Sequence, residues 1–428
     1  MRGPIALLSS EPLRPQMAGI GIRYLELARR LPFEIVLVSP ADPEETAGLG
    51  LDAGRVSLRR FERGRLREIL GGCQAGVAQG QLANDLLLEM PELPVAIDLY
   101  DPWLIENLTY AETLGFGPFR NDHATWVLQM TRGDFFLCSS EEQRTFYLGF
   151  LTALGRVNPE RLADDPDLDT LIAPVPFGVP GELPEHRPVL PAREPGEVRL
   201  LFGGLYDWYD PWTLLDALKL ADRPDWRLFL IRNPNPESTP QRLMAEVETR
   251  CRRLGWLNGN NHGNNRGRVQ ILDWVPADRR YDLLRDVDLL VAPHRPSLET
   301  RLSLRTRFLD ALAAGCPVVT SAGGAMSRML REHGAGWVVP PGDAEALAAA
   351  LAEAVEDAEA RERRRAGARE LLTDFRWDRA LAPLIRFCRE PKIDESKERF
   401  VHRPGTAAPP DPLPLRIRRR LRGWRLVR

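Results

Sequence analysis

Short apolar segments alternate with amphipathic stretches along the first part of the chain. One such stretch, residues 21–31, places Tyr24, Leu27 and Leu31 on one face of a helix. Alternation of this kind predicts right-handed βαβ units around a parallel sheet. The predicted strands of this part are 5–8, 34–38, 76–78, 95–99, 135–138 and 171–175.

A proline-rich segment interrupts the alternation. Five prolines lie between Pro180 and Gly196 without any apolar period, which is typical of a linker. The alternation then restarts, so the sequence predicts an α/β protein of two Rossmann-like, doubly wound halves facing a central cleft. The predicted strands of the second half are 198–202, 227–231, 269–272, 287–291, 317–320 and 337–339.

These patterns divide the chain into five predicted segments. The first domain covers residues 1–180 and the second covers 197–375, with the linker at 181–196 between them. A C-terminal helix at 376–390 is predicted to pack back on the first domain. Residues 391–428 are predicted to be a basic, flexible tail.

Composition restricts the class of protein. A chain of 428 residues with 43 % hydrophobic residues can bury two cores. Its five cysteines are scattered, which argues against a disulfide framework or a zinc site and predicts a cytoplasmic protein. No run approaches the roughly 18 apolar residues of a membrane-spanning helix. The net charge of -2 gives no overall attraction to nucleic acid.

The end of the chain is unlike the rest. Seven arginines and no acidic residue lie between Pro412 and Arg428, interspersed with leucines and a tryptophan. Arginines are attracted to anionic lipid, and tryptophan favours the membrane interface. The segment 412–428 is therefore predicted to contact the inner face of the cell membrane peripherally. A solvated tail and nucleic-acid binding are the alternatives.

In the first half, two motifs follow predicted strands. Gly19 and Gly21 open the first helix, where backbone N–H groups can approach an anion or a sugar. A tight turn explains these glycines equally well. Asp98 and Asp101 end a buried strand and are expected to face the acceptor side of the cleft, with Asp101 as a candidate base. A turn role for Asp98 and a paired-aspartate metal site are the alternatives.

In the second half, glycines and arginines gather at strand ends. Gly203 and Gly204 end the first strand and suit close approach to a ligand, although a plain turn is the alternative. Gly323 and Gly324 precede a later helix and offer amides to a phosphate. The densest set comprises Glu299, Arg301, Arg305, Arg307 and Asp310.

This set has the chemistry of a nucleotide site. Arginine binds a diphosphate through two parallel hydrogen bonds, a geometry that lysine lacks. A carboxylate such as Asp310 can accept hydrogen bonds from both hydroxyls of a ribose. The alternative is a solvated helix face carrying ion pairs.

The region 290–345 resembles the nucleotide-binding domain of retaining glycosyltransferases of family 4. The family's Pro-Ser, acid and Glu-Ala-x-Ala-x-Gly-x-Pro-Val-Val pattern is similar to Pro296-Ser297-Leu-Glu299 and to the run 310–319. Gly334-Ala-Gly336-Trp-Val-Val-Pro-Pro-Gly342-Asp343 resembles the family's Gly-x-Leu-Val-x-Pro-Gly-Asp ending. A looser resemblance extends over about residues 1–390. The arginine-rich pattern is similar to a branch of surface-polysaccharide enzymes.

The sequence departs from the family in two places. The family has paired glutamates eight residues apart, but Leu302 stands eight residues before Asp310. The family also has an Arg and a Lys after the glycine-rich strand end, where this chain has Asp207, Trp208 and Asp210.

The resemblance implies a GT-B fold and transfer of a hexose or deoxyhexose from a nucleotide diphosphate sugar, with retention. It implies a lipid-linked or polysaccharide acceptor in cell-envelope synthesis, and no cofactor or metal. Arg305 and Arg307 would bind the diphosphate, Asp310 the ribose and Glu299 the donor sugar. A sugar-nucleotide epimerase and a non-catalytic GT-B partner protein are the alternatives.

Overall fold

A computed structural model describes residues 3–233, 242–257 and 267–401. The predicted membrane-contacting segment 412–428 lies outside the described residues. Within the described ranges, seven strands form a first sheet with all pairs parallel, in the order β3-β2-β1-β4-β5-β6-β7. These strands are β1 (Ile5–Leu8), β2 (Ile35–Ser39), β3 (Val56–Arg60), β4 (Ala75–Ala78), β5 (Val95–Asp98), β6 (Phe135–Cys138) and β7 (Ile172–Pro174).

Six strands of the described chain form the second sheet, also parallel, in the order β10-β9-β8-β11-β12-β13. These strands are β8 (Val198–Gly204), β9 (Trp226–Ile231), β10 (Val269–Leu272), β11 (Leu289–Ala292), β12 (Val318–Ser321) and β13 (Trp337–Val339). Each sheet reverses its strand order once, between β1 and β4 and between β8 and β11. Open α/β sheets bind ligands at such points. The predicted two-domain, doubly wound architecture is confirmed.

Helices cover both sheets, which explains why most strands are continuous apolar runs. The helices of the first half are α1 (Gly19–Arg30), α2 (Pro43–Ala47), α3 (Leu66–Ile69), α4 (Gly80–Glu89), α5 (Trp103–Asn107), α6 (Ala111–Leu114), α7 (Gly117–Arg132), α8 (Glu141–Ala153) and α9 (Pro159–Asp164). Those of the second half are α10 (Pro211–Ala221), α11 (Arg242–Arg253), α12 (Arg280–Asp286), α13 (Leu298–Leu302), α14 (Thr306–Ala313), α15 (Ala325–Glu332), α16 (Ala344–Glu356) and α17 (Ala358–Leu372).

Residues 181–197, between the two sheets, have neither helix nor strand. This segment lies on α12, where the carboxylate of Asp286 accepts hydrogen bonds from the backbone N–H groups of Val189 and Leu190 at 2.6 and 2.8 Å. The proline-rich connection is therefore fixed to the second half at this point.

After α17 the chain returns to the first half through α18 (Trp377–Ala380), α19 (Ala382–Arg389) and α20 (Ser396–Phe400). Phe387 stacks on Phe135 with ring centroids 5.3 Å apart. Trp377 packs against Phe177, and a Cβ at Gly178 would lie 2.3 Å from the Trp377 ring. A glycine is needed at residue 178 because the indole occupies the space of a side chain.

The start of the predicted flexible tail, residues 391–401, is packed in the structure. Asp394 is buried and pairs with Arg156, which is fully buried, at 2.8 Å and with Arg161 at 2.9 Å. Burial opposes ionisation of Asp394, but its hydrogen bond to Ser396 and the two arginines hold its pKa at about 2. An isolated buried arginine is very unfavourable, so Arg156 requires this carboxylate and anchors the segment.

A second buried ion pair lies in the centre of the first half. Arg23 on α1 binds both oxygens of Asp98 at the end of β5, at 2.6 and 3.1 Å, and also donates to the carbonyl oxygen of Val175 at 2.9 Å. The Arg23 and Asp98 side chains are 2 % and 0 % exposed. The pair joins α1, β5 and the end of β7 beneath the cleft.

We predict that Arg23→Met lowers the free energy of unfolding of the first half by about 3–5 kcal/mol, because Asp98 would remain as a buried, unpaired charge. Urea unfolding followed by circular dichroism measures the change. The matched control is Arg60→Met, which removes an exposed pair with Asp42 and should change the free energy by no more than about 1 kcal/mol. Equal effects of the two substitutions would contradict the structural role of the buried pair.

Candidate active site

A cavity of about 390 Å³ lies between the two halves, at the carboxyl ends of the strands. The first half contributes Gly19 at the start of α1 and the segment 100–107, which follows β5. The second half contributes the end of β8 and residues 303–310 on and before α14. The cavity therefore coincides with the predicted cleft, and residues that follow β1, β5 and β8 line it.

Several hydrogen bonds join the halves around this cavity. The hydroxyl of Tyr100 donates to the carbonyl oxygen of Leu304 at 2.9 Å. The indole N–H of Trp274 donates to the carbonyl oxygen of Met17 at 3.1 Å, and the backbone N–H of Ala277 donates to that of Pro15 at 3.0 Å. The two walls are thus held in contact on more than one side.

Arg307 lines the cavity, and its hydrogen-bond acceptors are neutral carbonyl oxygens. It lies in the first turn of α14, and its Nη1 donates to the carbonyl oxygens of Phe202 and Gly204, each at 3.0 Å. Its guanidinium also lies 4.6 Å from the ring centroid of Tyr209. No carboxylate in the described part of the chain forms an ion pair with it, so its positive charge remains available to an anion in the cavity.

Gly203 makes this arrangement possible. Its φ of +89° is unfavourable for residues with a side chain, and a Cβ would lie 3.1 Å from Nη1 of Arg307. The glycine at the end of β8 therefore allows the guanidinium to approach the strand backbone.

Arg305, in contrast, is already neutralised. Its Nη2 lies 2.6 Å from Oε2 of Glu299, and Ser303 donates to the other carboxylate oxygen at 2.8 Å. Arg305 lines the cavity, whereas Glu299 on α13 is not among the residues of the cavity wall and is 3 % exposed. The structure thus places Glu299 as the partner that fixes Arg305.

Asp310 on α14 lines the cavity with one carboxylate oxygen unsatisfied. Arg280 lies 3.3 Å from Oδ2, while Oδ1 is buried and has no hydrogen-bond partner among the residues that the structure describes. Buried polar atoms are rarely left unpaired. An acceptor of this kind fits a ligand hydroxyl, as the sequence predicts for Asp310.

Two carboxyl groups of the first half face the same cavity, Asp101 and Glu106 on α5. Burial, together with the nearby charge of Asp98, raises the pKa of Asp101 to about 6. Burial, together with the charges of Asp101 and Glu299, raises the pKa of Glu106 well above its usual range, although Arg305 opposes this shift. Asp101 can therefore exchange protons near neutral pH, beside a second carboxyl group whose pKa is also raised.

Several predicted site residues do not line the cavity. Arg301 is exposed on α13. The backbone N–H groups of Gly323 and Gly324 donate to the hydroxyl of Ser327 at 3.1 and 3.0 Å, so these amides are already engaged. Asp98 is the partner of Arg23.

The amides at the start of α1 are also engaged. Glu11 accepts from the backbone N–H groups of Ala18 and Gly21 at 2.6 and 2.7 Å, which places a carboxylate of the chain itself at this positive helix end. Gly19 does line the cavity, and a Cβ there would meet no atom within 4 Å.

Some cavity residues were not predicted from the sequence, because they belong to none of its motifs. Glu106 and Arg280 lie on short helices outside any motif, and their positions depend on how the two halves meet. Asp210, which stands where the similar family has a basic residue, caps α10 by accepting from the N–H of Thr213 at 3.2 Å. Its helix-capping role accounts for an acid at this position.

The described residues lack the features of a metal site and of a membrane-spanning segment. They hold no group of three or more His, Cys, Asp or Glu side chains arranged to bind a metal ion. Nor do they include a helix whose length and apolar character would allow it to cross a membrane.

Comparison with known proteins gives matches of two kinds. Residues 198–357 match the family model described as glycosyl transferases group 1, which is less than half of the chain. A phosphatidyl-myo-inositol mannosyltransferase from Mycolicibacterium smegmatis is 32 % identical over 124 residues, covering 29 % of this chain. The match spans 31 % of that relative's length.

Solved structures match over nearly the whole chain. HepE from Anabaena, in complex with UDP and glucose, has a TM-score of 0.63 at 15 % identity and covers 90 % of this chain and 98 % of its own. Sucrose-phosphate synthase from Thermosynechococcus elongatus has a TM-score of 0.61 at 16 % identity and covers 91 % and 99 %. At this identity the likeness establishes the fold. The chain has the two-domain GT-B fold, and its residues 198–357 match the family model of glycosyl transferases group 1.

Proposed function

We propose that this protein is a glycosyltransferase that transfers a sugar from a nucleotide diphosphate sugar to a lipid-linked or polysaccharide acceptor. The observation that carries the proposal is the pairing of two features in one interdomain cavity. Arg307 offers a positive charge that no described carboxylate neutralises, and Asp310 offers an unpaired carboxylate oxygen. An anionic diphosphate and a ribose hydroxyl satisfy both.

In the proposed reaction the protein positions the substrates and stabilises charge. Arg307 binds the diphosphate, and Arg305, held by Glu299, faces the charge that develops on the leaving phosphate. Fixed donors of this kind act strongly in a site that excludes water. Arg307 supplies the positive charge, and Arg305, although paired with Glu299, adds hydrogen-bond donors. We propose that the reaction needs no metal or cofactor.

On the acceptor side, Asp101 accepts the proton of the attacking hydroxyl. With a pKa of about 6, this carboxyl is mostly ionised at neutral pH and remains basic enough to act. The resemblance to family 4 supports retention of anomeric configuration, in which the leaving diphosphate assists this deprotonation and no protein nucleophile is needed.

Exposed apolar side chains support a lipid-linked acceptor. Four of them, close together in the sequence, form what we call the apolar patch: Leu108, Leu114, Phe116 and Phe119, which are 46 %, 52 %, 71 % and 39 % exposed. Along the chain they follow Glu106 and Asn107 of the cavity wall. The relative named as a phosphatidyl-myo-inositol mannosyltransferase is consistent with this acceptor class. We propose peripheral contact with the inner face of the cell membrane through this patch and residues 412–428.

A thermal-shift screen tests the proposed donor directly. Nucleotide diphosphate sugars should raise the melting temperature because they bind the folded state, with a stabilisation of about 2.7 kcal/mol at a hundredfold excess over Kd. Free monosaccharides should have little effect on the melting temperature. A panel in which no nucleotide sugar binds would favour a non-catalytic partner protein, and turnover of the donor without an acceptor would favour an epimerase.

We predict that Arg307→Met lowers kcat/KM by about 10²–10³, the scale of losing one preorganised donor to transition-state charge. Arg301→Met is the matched control because Arg301 is an exposed arginine of the same cluster that lies outside the cavity. Steady-state kinetics should show a loss confined to the Arg307 variant. If both variants had the kinetics of the wild type, Arg307 would be excluded as a diphosphate-binding residue.

The raised pKa of Asp101 predicts a pH profile. A base is active when deprotonated, so kcat/KM should fall as pH drops through about 6 and level off above it. Asp101 interacts with Glu106, so the apparent value belongs to the pair. Asp101→Asn should lower activity and abolish this acidic limb. An unchanged limb in that variant would exclude Asp101 as the base.

The membrane contact predicts salt-sensitive co-sedimentation of the full chain with anionic vesicles. Phe116→Ser and a chain ending at Pro410 should each sediment less. Leu162→Ser removes an apolar side chain of similar exposure, 44 %, from α9 and should behave as the wild type. Equal sedimentation of all four proteins, or of none, would contradict the prediction.

A further inference from the structure

An aromatic cluster forms one wall of the cavity. The loop between β8 and α10 places Tyr206, Trp208 and Tyr209 there, where the similar family has basic residues. The rings of Tyr206 and Trp208 are parallel, with centroids 4.9 Å apart and 1° between their planes. Tyr110, from the other half, meets Trp208 edge-on at 6.2 Å. The cluster is therefore assembled from both sides of the cleft.

Two polar atoms of this cluster have no partner in the described part of the chain. They are the indole N–H of Trp208 and the hydroxyl of Tyr110, which are buried without a hydrogen bond there. Both residues line the cavity and are only 8 % and 5 % exposed. Buried donors are normally satisfied by protein, water or ligand. Donors left open in a cavity wall fit the oxygen atoms of a bound molecule.

The groups around the cluster favour a neutral ligand over a second anion. Glu106 and Asp101 line the cavity from the first half, and Asp101 is ionised above about pH 6. The cation without a carboxylate partner in the described chain, Arg307, lies against Tyr209. An anionic group is therefore best placed at Arg307, and a neutral group rich in hydroxyls suits the aromatic side.

We propose that Tyr206, Trp208 and Tyr110 form a subsite for a neutral pyranose ring. The flat face of a pyranose exposes C–H groups that pack on the negative face of an aromatic ring. Its hydroxyl oxygens accept from Trp208 and Tyr110, and its hydroxyl groups donate to the carboxyl of Glu106. The proposal of this subsite rests on the proposed transferase function. In it, these three residues bind the sugar ring and not the nucleotide of the donor.

The ring can belong to the donor or to the acceptor, and binding measurements on Trp208→Leu distinguish the two sources. Calorimetry compares UDP and GDP with UDP-glucose and GDP-mannose. Saturation-transfer NMR follows methyl α-glucopyranoside and methyl α-mannopyranoside in the presence of UDP. Trp212→Leu is the matched control, because Trp212 begins α10 beside the cluster but packs on Arg250 and does not line the cavity. Tyr206→Leu serves as the second variant.

If the ring is that of the donor, Trp208→Leu weakens binding of a nucleotide sugar about tenfold, equivalent to about 1.4 kcal/mol, and leaves binding of the free nucleotide unchanged. If it is that of the acceptor, the methyl glycoside signal falls and nucleotide sugars bind as before. In both cases Tyr206→Leu has the same effect and Trp212→Leu has none.

Two results would overturn the subsite. One is weakened binding of UDP or GDP themselves in the Trp208 variant, which would make the cluster part of the nucleotide site. The other is unchanged binding of all probes in both cluster variants. A wild-type protein that binds no nucleotide would refute the proposed donor instead, and the glycoside measurement would still decide whether the aromatic subsite exists.

Discussion

The guanidinium of Arg307 is bound by the backbone of the second sheet and not by a carboxylate. The carbonyl oxygens of Phe202 and Gly204 position it, and Gly203 leaves the space that it needs. Carbonyl oxygens orient a cation without cancelling its full charge. The proposed anion site therefore depends on the end of β8, where a parallel strand opens onto the cleft at a switch point of strand order.

The other buried arginines near the cleft are balanced by carboxylates and have different consequences. Arg23 with Asp98 joins elements of the first half, and Arg305 with Glu299 forms a fixed unit beside Arg307. Removing one member of such a pair leaves a buried, unpaired charge. A loss of activity in these variants would therefore combine a loss of folding stability with the loss of a contact in the site. Within the described residues, Arg307 has no carboxylate partner that its substitution would leave unpaired, so it is the cleaner probe of the site.

Much of the fold could be predicted from the sequence. Apolar runs predicted twelve of the thirteen strands in the described residues, and all but β3 lie where expected within a few residues. Strand β3 was missed because it is an edge strand whose Arg59 and Arg60 are exposed, so it needs no apolar run. Residues 391–401 were predicted as tail because the buried pairing of Asp394 with Arg156 spans most of the chain and leaves no local pattern.

The site could be predicted only in part. Spacing along the chain grouped Arg305, Arg307 and Asp310, and all three line the cavity because they lie on and just before one short helix. It did not show that Ser327 occupies the amides of Gly323 and Gly324, or that Glu11 occupies the start of α1. Whether a side chain of the protein already occupies these backbone amides depends on the tertiary structure, which the sequence pattern does not show. The same holds for Glu106, which joins the cavity through the meeting of the two halves.

A crystal structure of the protein with a nucleoside diphosphate that stabilises it would show directly whether Arg307 binds the diphosphate. We expect diphosphate oxygens within hydrogen-bonding distance of Arg307, a ribose hydroxyl on Oδ1 of Asp310, and no metal ion between protein and phosphate. A nucleotide bound elsewhere, or in the cavity with its diphosphate away from Arg307, would contradict this expectation.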